Sequence, residues 1–115
     1  MILAAAKWIA LALGANVGIA TNFSAVGDRW NPVPWAACLR RDLDDARDFV
    51  VAHRTLPCLS RVLVVSLRTG RAVVAIVGDR GPRRASIDLA PRVARAIGAN
   101  GKELVAIVPI GGNEP

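Results

Sequence analysis

The stretch Arg61 to Pro82, RVLVVSLRTGRAVVAIVGDRGP, decides the fold. Two valine-rich runs, RVLVVSL and AVVAIVGD, flank the polar segment Arg68 to Arg71, in which Gly70 supplies the positive φ that a tight hairpin needs. β-branched side chains suit a pleated, half-buried surface, so the stretch predicts a β-hairpin. Upstream, FVVAHR is another strand-like run that leads into the turn LPCLS. Downstream, APRVARAIG reads as a helix: Pro91 suits its first turn, Val93, Ala94 and Ile97 share one face, and Gly98 stops it. ELVAIVPI makes a closing strand and VGIATNFSA, Val17 to Ala25, an opening one. Val26 to Arg40, with Asn31, Pro32, Pro34, Trp30 and Trp35, reads as an irregular loop. RDLDDARDF suggests one helical turn whose acids, Asp42, Asp44, Asp45 and Asp48, form a solvated face. Short strands with an embedded helix point to a small barrel over a sandwich of long strands.

A chain of 115 residues supports a single domain with one modest core, and its 53% hydrophobic content argues against disorder. Fifteen Lys and Arg against nine Asp and Glu give a net charge of +6, which suits either a polyanionic partner or plain solubility. The arginines are scattered and no aromatic-basic reader motif is present, so no specific nucleic acid is expected. Cys38 and Cys58 form no CxxC and no ligand cluster with His53, so a zinc site is not expected, and the reading as a whole implies no metal or organic cofactor. In an oxidising compartment the two cysteines would close one loop; in a reducing one they would be buried thiols. Residues 1–16 read as a hydrophobic leader, signal-like with cleavage after Ala12, Ala15 or Ala20, or else packed against a partner; residues 17–115 form the barrel domain. Lys7, Gly14, Asn16 and Gly18 make that segment a poor membrane span.

AHRTLP, the TGR turn, DRGP and IDL, in this order between Val50 and Ile110, resemble the double-psi β-barrel domain of the rare lipoprotein A family, which is related in fold to expansins. IATNFSA is similar to a degenerate form of that family's opening ASWYG strand. The resemblance implies a mainly-β, six-stranded double-psi barrel with one or two short helices. It also implies an exported, periplasmic or cell-envelope protein that acts on peptidoglycan glycan strands as an endolytic lytic transglycosylase. In that reading His53 and Asp79 match the family's site histidine and aspartate, and a third family acid falls on Asp42, or on Asp44 or Asp45 after a small shift. The family turn LPFGT is LPCLS here, so Cys58 can reach back to Cys38 and staple the long loop across the barrel. The family's NDRGP asparagine is Gly78, and RRAS follows DRGP directly.

Lytic cleavage needs a general acid for the departing glycosidic oxygen and a base for the muramoyl 6-hydroxyl that closes the anhydro ring; one carboxyl group, Asp79, can serve as both. Its ordinary pKa near 3.9 would then have to be raised, so Arg54 and Arg80 should face substrate and not the aspartate. Asp88 either accepts amide hydrogens at the start of the helix or lines the polysaccharide groove, as in related expansin-like barrels. Trp35 offers a sugar-stacking surface at the rim, or core filling. The alternatives to an enzyme are a barrel that binds glycan without cutting it and a wall-penetrating subunit of a phage virion packed against other virion or envelope proteins.

Overall fold

The computed structural model describes residues 16–25 and 35–111. Along them run β1 (Asn16–Asn22), β2 (Trp35–Ala36), β3 (Arg41–Asp42), β4 (Val50–Ala52), β5 (Arg61–Ser66), β6 (Ala72–Asp79), β7 (Ile87–Leu89), α1 (Pro91–Ile97) and β8 (Glu103–Gly111). Six strands close a barrel in the order β1-β7-β4-β6-β5-β8, and β2 and β3 form a separate two-stranded hairpin. The mainly-β, six-stranded barrel with a short helix is thus the observed architecture.

The hairpin at the centre of the sequence pairs Arg61 with Ile76 through Val65 with Ala72. Side chains alternate across it, so Val62, Val64, Ala75 and Val77 fill the barrel while Val74 and Ile76 face outward. Each fully buried valine contributes roughly 1.5–3 kcal/mol of apolar transfer. Gly70, at φ 77°, closes the turn. The turn is fastened to the end of α1, because Thr69 Oγ1 donates to the Ile97 carbonyl at 2.7 Å. α1 itself starts at Pro91 without a side-chain cap, buries Val93, Ala94 and Ile97, and ends at Gly98 with φ 69°.

Two neighbouring pairs are parallel, β1 with β7 and β4 with β6. Parallel neighbours cannot be joined by a tight turn, so the chain has to cross over between them. From β4 it does so through residues 53–60 and β5, and the crossing segment is stitched to β6: Leu59 N–H donates to the Val77 carbonyl at 2.8 Å and Val77 N–H to the Ser60 carbonyl at 2.9 Å. This crossing brings the two ends of the motif together, and His53 N–H donates to the Asp79 carbonyl at 3.1 Å.

Sequence and structure part company at the first long loop. Trp35–Ala36, inside the segment expected to be irregular, pairs with Arg41–Asp42 across a turn that holds Arg40 at φ 59°. Two-residue strands are too short to leave a periodic signal. The opening strand stops at Asn22, and Phe23 and Ala25 instead pack with Ala36, Leu39, Leu43, Val50 and Ala90 beneath the hairpin. The acidic segment does make one turn, closed by Asp48 N–H to the Asp44 carbonyl at 2.8 Å. Both oxygens of Asp48 bind Arg41 at 2.9 Å, and that hydrogen-bonded guanidinium holds the Asp48 carboxyl below its ordinary range. The leader, its cleavage points after Ala12 and Ala15, Trp8 and Trp30 lie outside the described residues. Ala20 is fully buried in β1, so a cut after it would sever that strand.

Where β6 runs beside β4 the register shifts: Val51 faces Val77, but Ala52 faces Asp79, leaving Gly78 as the extra residue of a bulge. The Gly78 carbonyl accepts Cys38 N–H at 2.9 Å and Leu39 N–H at 3.1 Å. A Cβ there would sit 2.6 Å from Val50 Cγ1 and 3.1 Å from Leu39 Cγ. Gly78→Ala should therefore overpack this seam and cost about 1–3 kcal/mol, read as a lowered urea midpoint with an unchanged m-value.

Candidate functional site

The bulge sets a row of residues across four adjacent strands. Asp79 on β6 faces Ala52 on β4, Ala52 faces Asp88 on β7, and Asp88 faces Thr21 on β1. Two carboxyl groups therefore flank Ala52 with their backbones two inter-strand spacings apart, about 9–10 Å. His53 is the next residue after Ala52. Sequence reasoning singled out His53, Asp79 and Asp88 separately; Thr21 was missed, because only the parallel register of β1 with β7 puts it beside an acid.

The two acids have different surroundings. Asp79 Oδ1 accepts Ala37 N–H at 2.9 Å and Arg80 N–H at 2.8 Å, and Asp79 enters none of the ion pairs among the described residues. Neither Arg54 nor Arg80 forms an ion pair with Asp79. Asp88 accepts the Thr21 hydroxyl at 2.8 Å. Burial pushes its carboxyl above the ordinary range; the Thr21 hydrogen bond works against that rise, and the nearby Asp79 charge adds to it. Asp88 does not accept amides at the start of the helix, contrary to one of the two expectations for it. It lies within β7 and points to β1, and the residue that precedes α1 is Ala90, with no capping side chain.

His53 Nδ1 accepts two backbone amides, Thr55 N–H at 3.2 Å and Leu56 N–H at 3.1 Å. The ring proton must then sit on Nε2, which is the neutral ring's single N–H donor. Burial, followed by the Arg54 and Arg80 charges, holds this imidazole below its usual value. Its link to Asp79 runs through the backbone, not through a side-chain pair.

Arg54 and Arg80 have a use that the sequence did not show. Arg54 Nη1 donates to the Pro82 and Ala85 carbonyls, and Arg80 Nη1 to the His53 and Leu56 carbonyls. Each loop thus sends a guanidinium into the backbone of the other, so the two side chains are bracing groups before they are substrate contacts. A disulfide between Cys38 and Cys58, Cα to Cα 5.1 Å, ties the 53–58 loop to the β2–β3 hairpin, and Arg80 Nη2 lies 3.2 Å from Cys58 Sγ. By chain entropy a crosslink of this span contributes about 3 kcal/mol. Trp35, 56% exposed, stands two residues before the amide that holds Asp79. Asp42 is paired with Trp35 on that hairpin and is exposed; it makes no bond to His53, Asp79 or Asp88, so the structure does not bring it into the row. Among the described residues no cluster of His, Cys, Asp or Glu is suited to a metal.

A closed barrel of six short strands, with its polar row on the outer face and a covering hairpin, defines a class of small β-barrel proteins. The Streptomyces papain inhibitor shares the fold, at TM-score 0.54 and 21% identity over 81% of this chain and 93% of that one. No family model matches the chain. Over 101 residues, 86% of its length, it is 36% identical to a Nostoc sp. protein named "Probable endolytic peptidoglycan transglycosylase RlpA". It is also 53% identical over 49 residues, 41% of the chain, to the Synechocystis sp. protein of the same name. A Haemophilus influenzae "Endolytic peptidoglycan transglycosylase RlpA" matches at 39% over 59 residues, half of the chain. The chain spans 24%, 15% and 21% of these three relatives, respectively. It belongs to the rare lipoprotein A-like family of double-psi barrels.

Protonating His53 would put hydrogen on Nδ1 and break both amide bonds. Stability contributed by the neutral ring is present above the ordinary histidine range near pH 6.5 and is lost as pH falls through the lowered folded value. The His53 ring resonances should accordingly titrate below that range by NMR, and the Thr55 and Leu56 amides should lose hydrogen-exchange protection in step.

Proposed function

We propose that the chain is a peptidoglycan-active barrel of the cell envelope that cleaves glycan strands by a lytic transglycosylase reaction. The observation that carries this reading is the row Thr21, Asp88, Ala52, Asp79, which sets two acids of unlike environment on either side of one short strand. The names of the family relatives, quoted above, supply the substrate class.

The row supports dividing the two proton transfers that Asp79 was expected to perform alone. Asp88, whose burial favours the protonated form, donates its proton to the glycosidic oxygen as the bond to C1 breaks. The muramoyl 6-hydroxyl attacks C1 from within the same sugar, and its proton passes to Asp79, whose Oδ1 is held by two backbone amides. Anhydromuramoyl and free hydroxyl ends result, no water is consumed, and solvent exchange returns the proton to Asp88. His53 offers Nε2–H to a sugar hydroxyl, and Trp35 offers an exposed ring face at the rim.

The test is mass spectrometry of sacculi and of peptide-stripped strands after incubation with the protein. Anhydromuramoyl products should appear with the unsubstituted chain and fall by roughly 10²–10⁴-fold in Asp88→Asn, the range that general acid–base catalysis supplies. Because a buried acid with a raised pKa weakens the fold once ionised, stability is full below the ordinary carboxylate range and falls as pH rises through the folded value. Asp88→Asn keeps the Thr21 bond and should melt higher than the parent at neutral pH, with the difference vanishing in acid. Wall binding with no products from any variant would leave a glycan-binding module instead.

A further inference from the structure

Beside the acidic row lies an open groove of about 260 Å³, lined by Ile19, Arg54, Arg83, Arg84, Ala85 and Ser86. It has three guanidinium groups and no carboxylate in its wall. Arg54 is held in place by the Pro82 and Ala85 carbonyls, whereas Arg83 and Arg84 are exposed and make no hydrogen bond or ion pair with any described residue. Unpaired neighbouring arginines repel one another and gain by sharing an anion. The groove also has a defined place. Ser86 N–H donates to the Ile19 carbonyl at 2.9 Å, and Thr21 and Asp88 follow two residues further along β1 and β7. Residues two apart on a strand face the same side, so Ile19 and Ser86 in the groove wall lie about 7 Å along the strands from Thr21 and Asp88. Ile19, 46% exposed, gives the groove an apolar wall.

We propose that this groove is an anion subsite that holds a carboxylate borne by the glycan strand while the adjacent glycosidic bond lies over Asp88 and Asp79. The inference rests on the glycan-cleaving reading and names the part of the substrate that the chain's basic charge serves. Two carboxylates share the required chemistry: the lactyl group of a muramoyl residue freed of its peptide, and the acidic positions of an attached stem peptide. Bidentate guanidinium contacts suit either one.

Binding is measured with Asp88→Asn, so that strands persist, against the same protein carrying Arg83→Gln and Arg84→Gln. The probes are peptide-stripped strands, peptide-bearing strands, and stripped strands whose carboxyl groups have been amidated. Loss of the two arginines should weaken binding to a carboxylate-bearing strand roughly tenfold, the scale of one or two partly exposed charged contacts, and the parent's affinity should fall with added salt. Amidated strands should bind both proteins alike. A loss confined to stripped strands assigns the lactyl carboxylate, and one confined to peptide-bearing strands the stem peptide. Equal binding by both proteins, or a loss that persists on amidated strands, overturns the subsite. Arginine-dependent binding without anhydromuramoyl products from the unsubstituted chain would remove the cleavage reading and leave the subsite standing. Unchanged melting of the arginine variant excludes misfolding as the cause of any loss.

Discussion

Strand β4 has only three residues, all buried, and it hydrogen-bonds on both edges, parallel to β6 and antiparallel to β7. The polar row depends on that double pairing. Without the bulge at Gly78, Ala52 would face the glycine, and Asp79 would shift one position along and away from Asp88. The bulged carbonyl is in turn satisfied by the two amides of the Cys38–Leu39 turn. One register shift therefore aligns the acids and anchors the hairpin that supplies Asp79 with its Ala37 amide.

Around this row the protein uses its cations on backbone. Arg54 and Arg80 cross between the two loops and bind carbonyls, so the loop positions are fixed without neutralising either acid. Had either guanidinium paired with Asp88, its positive charge would have worked against the rise that burial gives that carboxyl. The disulfide adds a third tie, from hairpin to loop. The result is a polar row held from three sides.

Much of the barrel was legible because its strands are long enough to alternate and its turns carry Gly and Pro. The β5–β6 hairpin, α1 and the closing strand fall where valine runs, Pro91, Gly70 and Gly98 put them. The motifs AHRTLP and DRGP singled out His53 and Asp79, whose backbones the fold joins. What the sequence could not show depends on register between distant segments. Thr21 and Asp88 meet only through a parallel pairing, and the role of Gly78 is visible only once Val50 and Leu39 lie against it. Asp42 is where the family resemblance puts a third acid, and the hairpin pairs it with Trp35 instead. Arg54 and Arg80 read as substrate contacts because their carbonyl partners belong to irregular loops, which periodicity does not locate.

The central claim is that Asp88 and Asp79 form one electrostatic unit across β4. It is tested most directly by following the side-chain carboxyl carbons of both residues through a pH titration by NMR, in the parent and in Asp79→Asn. Asp88 should titrate above the ordinary aspartate range in the parent and move back toward it, though not fully, when the neighbouring charge is removed, since burial remains. An Asp88 that titrates in the ordinary range, or one indifferent to Asp79→Asn, would contradict the account.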